Sequence, residues 1–340
     1  MKILVVMKNW LGDLLFQMPA LDLLRQRYPD VLITCIAPER CREILEAHPA
    51  VSGFMSFDEK STHRTWLSKF QFLSELRKTR PWQEGYLFHR SRTRALLLTL
   101  AGVKKRIGYG KGRKIFLTKA LCEPHQPMHQ LDYFFEMMKQ AGFELPAEKT
   151  YRFFFKEEDE KQALEILNKH KIKKGDRFFC FHLGANWEPK RWPSAHFAVL
   201  ADKIHEAWHA PIIITGSQND APLLKEFLTQ VKKAKIIPKV GKTSLRVSAA
   251  LYKHTACLVT GDSGPMHIAS GVGASVVALF GPTDPELTGP RGTGDKIILQ
   301  YIPEGYHVPW YGKQLPEDGW LSHISPDQVF DAVDKIVPKR

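Results

Sequence analysis

Short apolar runs alternate with amphipathic stretches along nearly the whole chain, and the two periods predict its elements. Lys2–Val6 has the composition of a buried strand and ends at Asn9–Asp13. Beyond it Leu14, Leu15, Met18, Leu21 and Leu24 recur at spacings of three and four, which is one face of a helix. Val31–Ala37 reads as the next strand, 40–48 as a helix and 51–57 as a short strand. This β-α-β-α-β order predicts a parallel sheet with helices on both faces. Helical patterns also cover 67–79, 94–101 and 131–142.

Around 146–174 the pattern changes, and the charged stretches 157–167 and 171–176 mark a domain junction. A second series follows. Strands are expected over 178–184, 211–216, 236–240, 256–260 and 275–280, with helices over 194–207, 221–232, 245–254 and 266–272 between them. The fold class expected is α/β, with two doubly wound Rossmann-like domains, 1–165 and 175–323, facing each other across a cleft. Ligands in such sheets sit beyond the carboxyl ends of the strands.

Composition agrees with a globular chain: 340 residues, 44% hydrophobic and 25% charged. The longest strongly apolar run, Ala95–Val103, is far short of the roughly 20 residues that span a bilayer. Met1–Leu15 reads as a first strand rather than a signal peptide, so a cytoplasmic location is expected. Five scattered cysteines without a Cys-x-x-Cys pair argue against a disulfide framework and against a zinc site.

Net charge changes the picture more. It is +13, and Gly85–Cys122 contains ten basic residues and no acidic one. Such a block fits an anionic partner (nucleic acid, a membrane surface or a phosphorylated substrate) or simply a solvated basic face.

Three strand-to-helix turns carry candidate chemistry. In Thr260–Pro285 the chain enters a helix at Pro265, so Ser263 and Gly264 expose amides at a helix N-terminus, where an anion is favoured. Asp262 can accept from sugar hydroxyls, and His267 can donate to a phosphate or merely pack. The plain alternative is that Asp262 or Ser263 is an N-cap. In His182–Pro193, Gly184 permits close backbone approach, Asn186 offers an amide, and Lys190 and Arg191 offer cations beside Trp192. A lysine there can neutralise a departing diphosphate; the alternative is a surface loop pinned by Trp192. In Asn9–Leu15, Asp13 is either a general base or a helix cap.

Several motifs are absent. There is no Gly-x-x-x-x-Gly-Lys-Ser/Thr, no Asp-x-Asp, and no cluster with metal-ligand spacing. Gly108–Arg113 is glycine-rich but lacks the dinucleotide spacing, and it follows a basic segment that does not read as a strand. Chemistry without metal or cofactor is expected.

Taken in order, Leu11–Asp13, Gly184–Pro193, Asp262–His267 and Gly281–Pro285 resemble the ADP-heptose:lipopolysaccharide heptosyltransferases, glycosyltransferase family 9. Weaker matches at 100–109, 243–245 and 324–329 extend the likeness through nearly the whole chain. The resemblance implies a GT-B fold, an inverting mechanism and no metal. It implies that Asp13 is the general base and that Lys190 stabilises the leaving nucleotide diphosphate. Asp262 would hold heptose hydroxyls, with Ser263, Gly264 and His267 around the diphosphate. Gly184, Asn186, Thr243 and Asp220 would complete the donor site, Asp220 standing where members often carry a glutamate. The acceptor would be the anionic inner core, Kdo–lipid A or heptosyl-Kdo–lipid A, bound by Arg90, Arg92, Arg94, Lys104, Lys105 and Arg106. That basic face would suit peripheral docking on the cytoplasmic face of the inner membrane. The resemblance also implies that the last helix, in 324–340, crosses back to the first domain.

Three other readings compete: a transferase of the same fold using another nucleotide sugar such as a UDP-hexose, a sugar-nucleotide epimerase or hydrolase, and a nucleic-acid-binding protein built on Gly85–Cys122. The last lacks a recognition helix and interleaved stacking aromatics, so nucleic acid is not an expected partner.

Overall fold

The computed structural model describes residues 1–308 and 319–337, and the chain divides into two compact units, Met1–Phe154 and Phe155–Arg340. The first unit runs β1 (Lys2–Val6), α1 (Leu11–Leu15), α2 (Met18–Arg27), β2 (Leu32–Ala37), α3 (Arg42–Leu45), β3 (Gly53–Ser56), α4 (Trp66–Lys78), β4 (Glu84–Leu87), α5 (Arg92–Leu100), β5 (Lys105–Tyr109), β6 (Lys119–Leu121) and α6 (Gln130–Ala141). Its six strands are all parallel, in the order β3-β2-β1-β4-β5-β6. Ile3 pairs with Ile33 on one side and with Glu84 on the other, so the strand order reverses between β1 and β4.

The second unit runs α7 (Glu157–Lys169), β7 (Phe179–His182), α8 (Ser194–Trp208), β8 (Ile212–Thr215), α9 (Ala221–Gln230), β9 (Ile236–Pro238), α10 (Leu245–His254), β10 (Cys257–Gly261), α11 (Gly264–Gly271), β11 (Val276–Phe280), α12 (Pro285–Thr288), β12 (Lys296–Gln300) and α13 (Pro326–Ile336). This sheet is also parallel, in the order β12-β11-β10-β7-β8-β9, and reverses between β7 and β10. Strands β7, β8, β10 and β11 are wholly buried, as strands covered by helices on both faces must be.

Four strands escape the sequence pattern: β4, β5, β6 and β12. β4 is Glu-Gly-Tyr-Leu, and nothing local marks it as apolar. Glu84 is nevertheless buried, because the Tyr86 hydroxyl donates to it at 2.7 Å and Lys105 at 2.9 Å. β5 opens on Lys105 and Arg106, so the glycine-rich turn at Gly108–Arg113 does follow a strand. The helix expected from Leu14 onward is two helices, interrupted at Phe16–Gln17 ahead of Pro19.

Two boundaries differ from expectation. The charged helix α7, expected to lie astride the junction, belongs to the second unit. It is held on α10 by Arg246 Nε to Asp159 at 2.9 Å and by His254 and Lys253 to Glu160. The last helix, α13, packs in the second unit's own core. Its buried Val329, Ala332 and Val333 lie with Phe197, Leu200 and Ile204 of α8. Trp192 Nε1 donates to Ile324 O at 2.8 Å and fastens the chain leading into α13.

Candidate active site

In a doubly wound sheet the crevice opens where the strand order reverses, beyond the carboxyl ends of the strands. In the first unit that point lies between β1 and β4, and the segments leaving them lead to Asp13 in α1 and to Arg90–Arg92 at the start of α5. Asp13 sits in the first turn of α1. The capping position falls to Trp10, whose side chain makes no capping bond, so Asp13 is not the helix cap. Its carboxylate instead meets Lys8 Nζ at 3.2 Å, and both side chains are partly exposed. Lys8 is held in turn by Gln130 Oε1 at 3.0 Å and lies over the Phe134 ring. Buried Gln17 closes the turn: it accepts from the Lys8 amide at 3.0 Å and donates to Asp13 O at 2.7 Å. The result is a fixed, ion-paired carboxylate open to solvent.

Arg94 has a different place from the one the basic block predicts. It is 1% exposed and donates to Met7 O, Asn9 Oδ1 and Glu59 Oε2 at 3.0, 2.9 and 3.0 Å. It therefore braces the loop that carries Asp13 rather than facing an acceptor. Lys104, Lys105 and Arg106 lie at the start of β5, level with the start of β4, and thus at the opposite edge of the sheet from Asp13. Of the six basic candidates, only Arg90, in the loop after β4, and Arg92, the first residue of α5, stand exposed at the carboxyl edge. Arg90 is paired with Glu123 at 2.6 Å, and Glu123 also accepts from the Tyr133 hydroxyl. The pKa of His89, the residue before Arg90, is lowered to about 4 by burial and by Arg94; its Nδ1 accepts from the Ser91 amide at 3.0 Å.

In the second unit the reversal lies between β7 and β10, and their loops carry Lys190 and Asp262. Lys190 Nζ meets Asp262 Oδ2 at 2.5 Å, and Thr283 Oγ1 donates to the same oxygen at 2.7 Å. Three of the motif-bearing turns thus converge on one carboxylate. Close approach of the chain makes this possible: a Cβ on Gly261 would lie 2.2 Å from Lys190 O, and one on Gly281 would lie 2.8 Å from Trp320 Cβ.

At the head of α11 the N-cap is Ser263, in extended conformation and with no side-chain capping bond; its Oγ lies 3.1 Å from Thr260 Oγ1 instead. With Asp262 turned onto Lys190 and Thr283, neither residue serves as the ordinary cap. The amides of this helix start, beside a lysine, form a site that can take an anion. His267 is buried in the first turn of α11.

The remaining donor candidates ring the same edge. Asp220 bonds the Ser217 amide at 2.7 Å and the Ser217 hydroxyl at 2.8 Å, an ordinary capping box, and lies over Gly184. A Cβ at Gly184 would stand 2.0 Å from Asp220 Oδ1. Gly184→Ala is therefore expected to displace this carboxylate and to destabilise the second unit by about 1–3 kcal/mol, read as a lowered thermal unfolding midpoint. His182, at the end of β7, is held below its ordinary range by burial although Asp220 pulls the other way. Thr243 Oγ1 is 2.9 Å from Ser248 Oγ, just ahead of the Ser244 cap of α10, and Asn186 is exposed.

Lys8, Gln17 and Thr283 are the site residues that sequence reasoning missed. Thr283 lies in the Gly281–Pro285 stretch singled out from the sequence, but only its contact with Asp262 shows its part. Among the described residues there is no group of three or more His, Cys, Asp or Glu side chains able to hold a metal ion.

Two six-stranded parallel sheets, each with its polar turns at the reversal of strand order, are the two α/β domains of the GT-B glycosyltransferase fold. The chain belongs to glycosyltransferase family 9 (heptosyltransferase), whose sequence profile matches residues 88–308. The curated lipopolysaccharide heptosyltransferase 2 of Escherichia coli K12 is 28% identical to it, with 99% of each chain covered. A family 9 glycosyltransferase from Veillonella parvula shares the fold at a TM-score of 0.89 and 23% identity, covering 100% of this chain and 98% of the other. The structure of the E. coli ADP-heptose lps heptosyltransferase II matches at 0.80 and 24%, covering 99% and 98%.

Proposed function

We propose that this protein transfers a heptose from ADP-heptose to the anionic inner core of lipopolysaccharide, with inversion at the anomeric carbon and without a metal ion. The observation that carries the reading is the Lys190–Asp262–Thr283 group beside the α11 N-terminus, at the strand reversal of the second sheet. A diphosphate oxygen is taken by the α11 amides of Gly264 and His267, by Ser263 and by Lys190. As the anomeric C–O bond to the diphosphate breaks, negative charge develops on ADP, and Lys190 neutralises it without a metal. Asp262, oriented by Thr283, accepts from heptose hydroxyls. Asn186 and Thr243 contact the nucleotide, while Asp220 acts through Gly184 by shaping the loop beneath the donor.

Asp13 takes the proton of the acceptor hydroxyl as its oxygen bonds to the anomeric carbon. Arg90 and Arg92 meet the acidic groups of a Kdo-bearing acceptor, and Arg94 positions the loop of Asp13. Lys104, Lys105 and Arg106 fall outside this acceptor site. The protein works in the cytoplasm, peripherally on the inner membrane, where such an acceptor is presented; among the described residues no helix is long and apolar enough to cross a membrane.

Thermal unfolding with ADP, UDP, GDP and NAD, each with and without EDTA, tests the donor half. A ligand that binds only the folded state raises its stability by mass action, about 2.7 kcal/mol at a hundred times Kd. The expected result is a selective, chelator-insensitive rise with ADP. Preference for UDP would overturn the donor and keep the fold.

A further inference from the structure

One face of α4 is apolar and turned to solvent. Trp66, Leu67 and Phe70 are 71%, 70% and 65% exposed, whereas Phe72, Leu73 and Leu76 of the same helix are buried. Residues 66 and 70 are four apart and 67 and 70 three apart, so the trio crowns the first turn as one patch. Single apolar residues on a surface are ordinary; a contiguous group of this size marks an interaction site. The patch stands on a fixed support. Thr65 caps α4 by accepting from the Ser68 amide at 3.2 Å, and the His63 ring lies against Phe57 and Phe72.

The charge around the patch is predominantly basic, with Glu75, exposed further along the same helix, as an exception. Asp58 and Glu59, the nearest acidic residues preceding it, are turned onto Arg40 and Arg94. Lys60 and Arg64 are exposed, and Lys69 holds its ammonium 5.1 Å from the Trp66 ring centroid. The segment leading into α4 leaves the carboxyl end of β3, the same edge of the sheet from which the loop of Asp13 leaves β1.

We propose that this face docks the protein on an anionic lipid bilayer, with Trp66, Leu67 and Phe70 entering the headgroup layer and Lys60, Arg64 and Lys69 meeting lipid phosphates. Aromatic and aliphatic side chains ringed by cations are the composition that binds such an interface, and the basic flank gives the charge complementarity. The inference rests on the reading of the acceptor as lipid-borne. It explains how Asp13 is brought to the level at which a lipid-anchored sugar is presented.

The test uses the full chain, sedimented with vesicles of mixed phosphatidylglycerol and phosphatidylcholine and with vesicles of phosphatidylcholine alone. Binding to the mixed vesicles, weakening with salt, is expected. The triple variant Trp66→Ser/Leu67→Ser/Phe70→Ser is expected to lose about tenfold or more in partitioning, with its unfolding midpoint unchanged because all three side chains are exposed. The double variant Lys60→Glu/Lys69→Glu should reduce binding to the anionic vesicles specifically. Transfer is then measured on an acceptor embedded in vesicles and on the same core oligosaccharide freed of its acyl chains. The triple variant should lose activity on the first and keep it on the second. Undiminished vesicle binding by the triple variant overturns the docking surface. So does its conversion of a dimer to a monomer with vesicle binding intact, which would assign the patch to a second copy of the chain. If the wild type binds vesicles but transfers heptose to neither acceptor, the docking stands and the transferase reading falls.

Discussion

Asp13→Asn is expected to lower the rate of heptose transfer by about 10²–10⁴-fold, the range that a positioned general base contributes. The substitution keeps the shape of the side chain and removes only its capacity to take a proton. Gln17 grips the backbone carbonyl of residue 13 rather than its carboxylate, so the turn should survive the change. Lys8 loses a charged partner but keeps Gln130 and the Phe134 ring, so a large loss of stability is not expected. Because the proposed donor contacts are all residues of the second unit, the affinity for ADP should be unchanged. The measurement is steady-state transfer together with an ADP titration on the same variant. Activity close to wild type would remove Asp13 from the role of base, and a parallel loss of ADP binding would show that the variant had failed more broadly.

Lys190→Ala is expected to lower turnover by about 10²–10³-fold, as the loss of a group that meets developing negative charge does. It should also weaken ADP binding by about ten- to a hundredfold, the worth of a hydrogen bond to a charged group. Asp262 is 6% exposed and would be left with Thr283 and no cation, so some loss of stability should accompany the change. Lys190→Arg separates the two effects. It restores a charge near Asp262, but a planar guanidinium does not reproduce the compact ammonium, so stability should recover more than turnover. Unchanged turnover and ADP affinity in Lys190→Ala would return the Gly184–Pro193 loop to a purely structural role.

Much of this was legible along the chain. The strands that read clearly, such as Val276–Phe280, are continuous apolar runs, because they are buried on both faces. The turns that hold Asp13, Lys190 and Asp262 were legible as well, since each joins an apolar run to a helical pattern through glycine or proline. β4 and β5 were hidden for the opposite reason. Glu84 is tolerated at the buried start of β4 because Tyr86 and Lys105 bond to it, and Lys105 and Arg106 stand at the solvent-facing start of β5. The basic block likewise read as one surface, and the fold divides it into a buried brace at Arg94, an exposed pair at Arg90 and Arg92, and a group at the far edge of the sheet.

By itself, then, the sequence determined the kinds of elements, their alternation, and which turns carry polar chemistry, because periodicity and turn composition are properties of neighbours along the chain. The tertiary structure alone decided which of those turns meet. Lys190 reaches Asp262 across 72 residues and Thr283 reaches it across 21, and Lys8 is held by Gln130 across 122. Such pairings follow from strand order and from the packing of helices on the sheets, which bring side chains together that no local pattern relates.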